Sequence, residues 1–157
     1  MTPEFGVFDH VSLSVTDLER SHRFYTGVLG MEVFMDFGHA RLYVHHTGFL
    51  LALVKHEEGS AKPFSELNTG LDHISFTVAR EDLPRWEQRF NEMDVVYTPT
   101  RDMEFGSHLN FRDPDNIPFE FFAPLPQVQT ALQAIVSGEM TAEGLAELAR
   151  QQVADRA

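Results

Sequence analysis

An octapeptide that occurs twice is the strongest constraint on how this chain of 157 residues can fold. Phe8 to Val15 reads FDHVSLSV and Leu71 to Val78 reads LDHISFTV, aligned without a gap at an offset of 63 residues. Val33-Phe34 and Val96-Tyr97 recur at the same offset, each just past a helical pattern. A shared segment followed by the same order of elements marks two copies of one supersecondary unit. Each octapeptide alternates strictly, which is the period of a β-strand. Val11, Leu13 and Val15 take one face and His10, Ser12 and Ser14 the other. Ile74, Phe76 and Val78 likewise oppose His73, Ser75 and Thr77. The apolar face suits packing under a helix, and the His-Ser/Thr face then looks into polar surroundings.

A helix is predicted after each strand. Thr16-Asp17-Leu18-Glu19 has the spacing of a capping box. Leu18, Phe24, Tyr25, Val28 and Leu29 form one stripe, and Gly30 is placed to end it. In the second copy Leu83, Trp86, Phe90 and Met93 recur at helical spacing, and Pro84 fits a first turn, where its missing N–H costs nothing. Three short strands are predicted after each helix, at about 32–37, 40–46 and 49–55, then at about 95–100, 106–112 and 117–123. Asp113-Pro114-Asp115-Asn116 is a turn: Asp opens it, Pro presets φ and Asn tolerates the left-handed region. The expected organisation is a first module over 1–57, a linker over 58–69, a second module over 70–124 and a helical extension over 125–157. In that extension Leu145, Leu148, Ala149 and Val153 share a helical face.

Glu120 stands out in Ile117-Pro118-Phe119-Glu120-Phe121-Phe122, because a carboxylate in an apolar strand is costly to bury unless paired or bound to a metal. Alternation opposes it to Phe119 and Phe121. An edge position in solvent is the bland alternative, as a structural role is for a lone histidine. Two histidines at equivalent positions of a repeat are a different matter. If a pseudo-twofold axis relates the halves, His10, His73 and Glu120 converge as a two-His-one-carboxylate set with open coordination positions. The chain has eight histidines and no cysteine, so any metal site here is built from imidazole and carboxylate. That donor set suits zinc, iron, manganese or nickel. The absence of cysteine also fits a reducing cytoplasm. The net charge of -12 argues against nucleic acid as partner. No stretch approaches a membrane span, and the N-terminus has no signal-peptide pattern.

The FDHVSLSV start, Tyr25-Thr26-Gly27-Val28-Leu29-Gly30-Met31 and the Phe111-Arg112-Asp113-Pro114-Asp115 turn leading to Glu120 resemble the vicinal oxygen chelate superfamily over roughly residues 6–124. That group spans glyoxalase I, extradiol dioxygenases, fosfomycin-resistance thiol transferases, epimerases and bleomycin-binding proteins. The resemblance implies an α+β fold in which two tandem βαβββ modules form an open, cup-like eight-stranded sheet around one divalent metal. It implies His10, His73 and Glu120 as the ligands, a small-molecule substrate and a homodimer. Glyoxalase I typically adds a carboxylate on the last strand of the first module; here that strand reads Leu50-Leu51-Ala52-Leu53-Val54-Lys55, so glyoxalase I activity is not expected. Neither a basic, serine-containing loop for a phosphonate nor the full extradiol signature is present, Asn110 standing where the latter has Tyr.

His108 and Asn110 share a strand face and are expected beside the metal, His108 as a general acid or base. Arg41 and Tyr43 share a face of another strand and are expected to hold an anionic or aromatic substrate. His22, His39, His45, His46 and His56 are assigned no role. The leading expectation is extradiol-dioxygenase-like oxidative cleavage on Fe(II). The alternatives are non-redox isomerisation, epimerisation or thiol transfer on Mn, Zn, Ni or Co, and metal-independent sequestration of a drug or metabolite.

Overall fold

A computed structural model describes residues 8–56 and 62–154. The chain divides into two compact units, residues 1–70 with 112–117, and 71–111 with 118–157.

The first unit runs β1 (His10–Ser14), α1 (Leu18–Gly27), β2 (Glu32–Asp36), β3 (Ala40–Val44) and β4 (Leu50–Val54). Its sheet has the order β1-β4-β3-β2, with β1 parallel to β4 and the other pairs antiparallel. Register settles which residues share a face, because paired residues point the same way. Val11, Leu13, Leu51, Leu53, Tyr43 and Arg41 lie together. This is the face under α1: the Tyr25 and Tyr43 rings lie 6.5 Å apart and both tyrosines are fully buried. His10, Ser12 and Ser14 lie on the opposite face with Leu50, Ala52 and Val54.

The N-terminus of α1 differs from the expected capping box. Asp17, not Thr16, is the cap, and its Oδ1 accepts from the Arg20 N–H at 2.9 Å. Thr16 is drawn elsewhere: its N–H and hydroxyl both donate to the buried Asp115 carboxylate. Glu19 pairs with Arg41 instead of folding back on the helix end. Gly30 follows the helix in the left-handed region at φ 69°, and the next residue, Met31, donates its N–H to the Tyr25 carbonyl at 3.0 Å.

The second unit repeats the plan: β5 (Ile74–Thr77), a 3-10 turn at Arg80–Asp82, α2 (Leu83–Glu92), β6 (Tyr97–Met103), β7 (Gly106–Arg112) and β8 (Pro118–Pro124), in the order β5-β8-β7-β6. β5 is parallel to β8. β6 starts later than expected, because Asp94 takes φ 53° and the Val95 N–H closes back on the Phe90 carbonyl at 2.9 Å. Phe90 is the hub under α2, fully buried, with ring centroids at 4.7 Å from Phe111, 5.9 Å from Trp86 and 5.7 Å from Tyr97. Two helices follow, α3 (Pro126–Val136) and α4 (Ala142–Ala154), packed on each other. Leu145, Leu148 and Ala149 of α4 are half-buried, whereas Val153 is exposed. No helix among the described residues is long and apolar enough to cross a membrane.

The turn between β7 and β8 is more than a reversal. Asn116 adopts the left-handed conformation expected of it, at φ 68°. Asp113 and Asp115 are almost fully buried. Asp113 Oδ1 accepts from the N–H groups of Asp115 and Ile117, and Oδ2 accepts from the Tyr25 hydroxyl at 2.9 Å. Asp115 accepts from Thr16, Arg20 and Ser21. Burial raises the Asp113 carboxyl to about 6, against the lowering by the Ile117 N–H and the Tyr25 hydroxyl. A carboxyl raised on folding stabilises the fold below its unfolded pKa near 3.8, and that contribution is lost as pH rises through about 6. The loss amounts to about 3 kcal/mol at one pKa unit per 1.36 kcal/mol. In Asp113→Asn, which keeps both backbone acceptor bonds and does not ionise, urea denaturation at pH 4 and pH 7 is expected to show a correspondingly smaller difference. An unchanged difference would contradict this role for Asp113.

Candidate metal centre

In the second unit the face turned away from α2 carries the chemistry. Register places Ser75 beside Glu120 and Thr77 beside Phe122, while Ile74, Phe76, Phe119 and Phe121 take the helix-covered face. Burial along β8 alternates accordingly, with Phe119 and Phe121 buried and Glu120 half-buried. A Glu on this strand is therefore directed by the pleat away from the aromatic core. Its two oxygens are held separately: Ser75 Oγ donates to Oε1 at 2.8 Å, and His108 Nδ1 lies 2.6 Å from Oε2. His73 Nε2 stands 4.0 Å from Oε1. Burial raises the Glu120 carboxyl, but the hydrogen bonds from His108 and Ser75, with the neighbouring His108 and His73 imidazoles, outweigh it and hold the group below the usual glutamate range. The carboxylate is thus kept ionised, as a metal ligand must be.

His108 shares the Glu120 face, with its ring 4.7 Å from that of Phe122. Asn110 lies two residues further along β7 and is exposed. A residue unremarked in the sequence joins them: Arg101 of β6 is in register with His108 and so points to the same face. Among the described residues it forms no ion pair, unlike Arg80, which is tied to Asp102 and Ser107. The signal was present as a cation at an alternation position, but the bulge between Thr98 and Arg101 changes the parity of β6 and hides it.

In the first unit His10 lies at the start of β1 on the open face, its side chain 56% exposed. Both proposed imidazole ligands have Nδ1 engaged by the preceding aspartate, His10 by Asp9 and His73 by Asp72, each at 2.5 Å, which leaves Nε2 to coordinate. Glu120 and His73 are brought together in one unit, and His10 is in the other. Among the described residues no group of three or more His, Asp or Glu is gathered closely enough to hold a metal ion. Within the second unit the donor chemistry suits a divalent cation, His73 with its Nδ1 engaged standing beside the ionised Glu120 carboxylate, and His10 offers the same imidazole chemistry in the first unit.

Arg41 and Tyr43, expected to hold a substrate, are engaged within the first unit. Both sit on the α1-covered face of the first sheet. The Arg41 guanidinium is taken by Glu19 and Asp36, and its side chain is 15% exposed. Tyr43 is fully buried, its hydroxyl 3.2 Å from His22 Nδ1. Alternation showed that the two share a face, but the helix decides which face is covered.

Comparison with known proteins adds to this geometry. A family model described as the Glyoxalase/Bleomycin resistance protein/Dioxygenase superfamily matches residues 7–121. The metallothiol transferase FosB of Bacillus licheniformis is 31% identical over 114 residues, 71% of this chain and 71% of that protein. Its namesake from Staphylococcus saprophyticus is 27% identical over 114 residues, 71% and 73% of the two chains. Among solved structures, a glyoxylase/bleomycin resistance protein/dioxygenase domain from Frankia sp. EAN1pec matches with a TM-score of 0.72 at 34% identity, covering 78% of this chain and 100% of that one. The fosfomycin resistance protein FosX from Mesorhizobium loti shares the fold with a TM-score of 0.63 at 22% identity, over 82% of this chain and 100% of its own.

Proposed function

The chain belongs to the glyoxalase/bleomycin resistance protein/dioxygenase superfamily, and we propose that it is a divalent-metal-dependent group-transfer enzyme that adds a thiol to a small, anionic, oxygen-bearing substrate. The observation that carries this reading is the exposed face of the second sheet, where Glu120, His73 and His108 stand on the same side as the cation Arg101. The curated relatives, metallothiol transferases by name, support thiol transfer over the oxidative cleavage favoured on the sequence. The dioxygenase and oxidoreductase readings have no such support, and with them goes the preference for Fe(II). Mn, Zn, Ni and Co then stand on equal terms.

His10, His73 and Glu120 are the ligands in this proposal. A bound divalent cation supplies Lewis-acid polarisation of a substrate oxygen. The chain's own residues do the rest. Arg101 attracts and orients the anionic end of the substrate. His108 fixes Glu120 through Nδ1, and its Nε2 is the atom for moving a proton. Asn110 offers an amide to a substrate oxygen. In the transfer an S–C bond forms, a C–O bond breaks, and the thiol proton ends on the released oxygen.

The face of β4 next to His10 bears Leu50, Ala52 and Val54 and no carboxylate, so the base of a glyoxalase I isomerisation is missing there. The test is a paired assay on the metal-loaded full chain. Cysteine or glutathione is offered with small phosphonate- or carboxylate-bearing epoxides and loss of free thiol is followed; O2 uptake is followed with catechols. Metal-dependent thiol loss is expected, without O2 uptake and without turnover of the methylglyoxal–glutathione hemithioacetal. O2 consumption or hemithioacetal turnover in place of thiol loss would overturn the proposal.

The homodimer is retained as part of this reading. β2 is an edge strand with Val33, Phe34 and Met35 exposed, and Phe37 is exposed beyond it, a run of apolar surface that calls for cover. Sedimentation equilibrium at micromolar concentration is expected to return the mass of two chains, and a monomer would remove the dimer.

A further inference from the structure

Each histidine of the duplicated octapeptide follows an aspartate, and in both units that aspartate turns back onto the imidazole. Asp9 Oδ1 lies 2.5 Å from His10 Nδ1, and Asp72 Oδ1 lies 2.5 Å from His73 Nδ1. Neighbours within a strand point to opposite faces, so regular pleating would separate each pair. The contact forms because Asp9 precedes β1, and Asp72 and His73 both precede β5, where the backbone is free of the pleat. The other engaged ring nitrogens have different partners: His22 meets Tyr43, His45 meets Thr47 and His108 meets Glu120.

Stability does not account for the two pairs. The aspartate side chains are 78% and 81% exposed, and exposed ion pairs contribute little. Their effect falls on the ring. A carboxylate at Nδ1 keeps the proton there, leaves the Nε2 lone pair outward and makes that nitrogen a better donor to a cation. Glu120 has comparable support from Ser75 and His108. We propose that Asp9 and Asp72 are positioning residues that hold His10 and His73 with Nε2 presented to the divalent cation. The inference rests on the metal reading above and assigns it two residues outside the ligand set.

The experiment measures Mn2+ and Zn2+ affinity of the full chain by competition with a chromogenic chelator, with the imidazole tautomers of the metal-free protein read by 15N NMR. Asp9→Ala and Asp72→Ala are each expected to weaken binding by roughly 10–100-fold, the range for loss of an outer partner of a ligating histidine. Asp9→Asn and Asp72→Asn, which keep an acceptor oxygen without its charge, are expected to recover part of that loss. His10 and His73 are expected with the proton on Nδ1 in the wild type and on Nε2 in the alanine variants. Wild-type affinity in both alanine variants, with binding lost in His73→Ala, overturns the positioning role and leaves the metal site standing. Wild-type affinity in His73→Ala overturns the metal reading itself. Weakened binding with unchanged tautomers also overturns the proposal, because the carboxylates would then act through charge alone.

Discussion

Replacing Glu120 by alanine is expected to lower divalent-metal affinity by more than about 100-fold, beyond what loss of an outer partner costs. The residue supplies the only carboxylate of the proposed ligand set. Ser75 and His108 hold its two oxygens and keep the side chain on the chemical face of the sheet. The substitution is expected to leave the aromatic core in place, because the side chain points away from the Phe119 and Phe121 face. Equilibrium dialysis against Mn2+ or Zn2+ reads the effect, and full occupancy in Glu120→Ala would remove the residue from the site. Glu120→Gln, which is isosteric but uncharged, is expected to fall between the two.

Phe90→Ala is expected to cost the fold about 3–5 kcal/mol, the range for truncating a buried aromatic. Phe90 is fully buried, and its ring meets Trp86, Tyr97, Phe111 and Phe121, so no single neighbour can move to fill the space. Phe111 and Phe121 alternate on β7 and β8 with the residues of the chemical face, and loosening them also disturbs His108 and Glu120. Guanidinium denaturation gives the magnitude; a loss below 1 kcal/mol would show that the cluster repacks.

The duplicated octapeptide made both βαβββ orders legible, because alternation and helical spacing are local signals that tertiary packing here reinforces. The direction of Glu120 was legible for the same reason: in a strand whose neighbours are phenylalanines, parity alone separates core from site. What was missed depends on distance along the chain. Tyr25 reaches Asp113 across 88 residues, and Thr16 reaches Asp115 across 99. The turn therefore read as a turn, and Thr16 read as a helix cap. The placement of Arg41 and Tyr43 on the helix-covered face was not legible, because a shared face does not reveal which side a helix covers. Arg101 was hidden by the bulge that shifts the parity of β6. Asp9 and Asp72 were hidden by the assumption that pleating continues through the ends of the strands.

The central claim, that histidines from both copies of the repeat serve one cation with Glu120, is tested most directly by metal stoichiometry in the wild type and in His10→Ala. His10 is the proposed ligand that lies in the unit without Glu120. Dialysis of the chelator-treated full chain against Zn2+ or Mn2+, followed by elemental analysis, is expected to return one ion per chain for the wild type and a large loss for His10→Ala. Retention of one ion per chain by His10→Ala, or no ion in the wild type, would contradict the account.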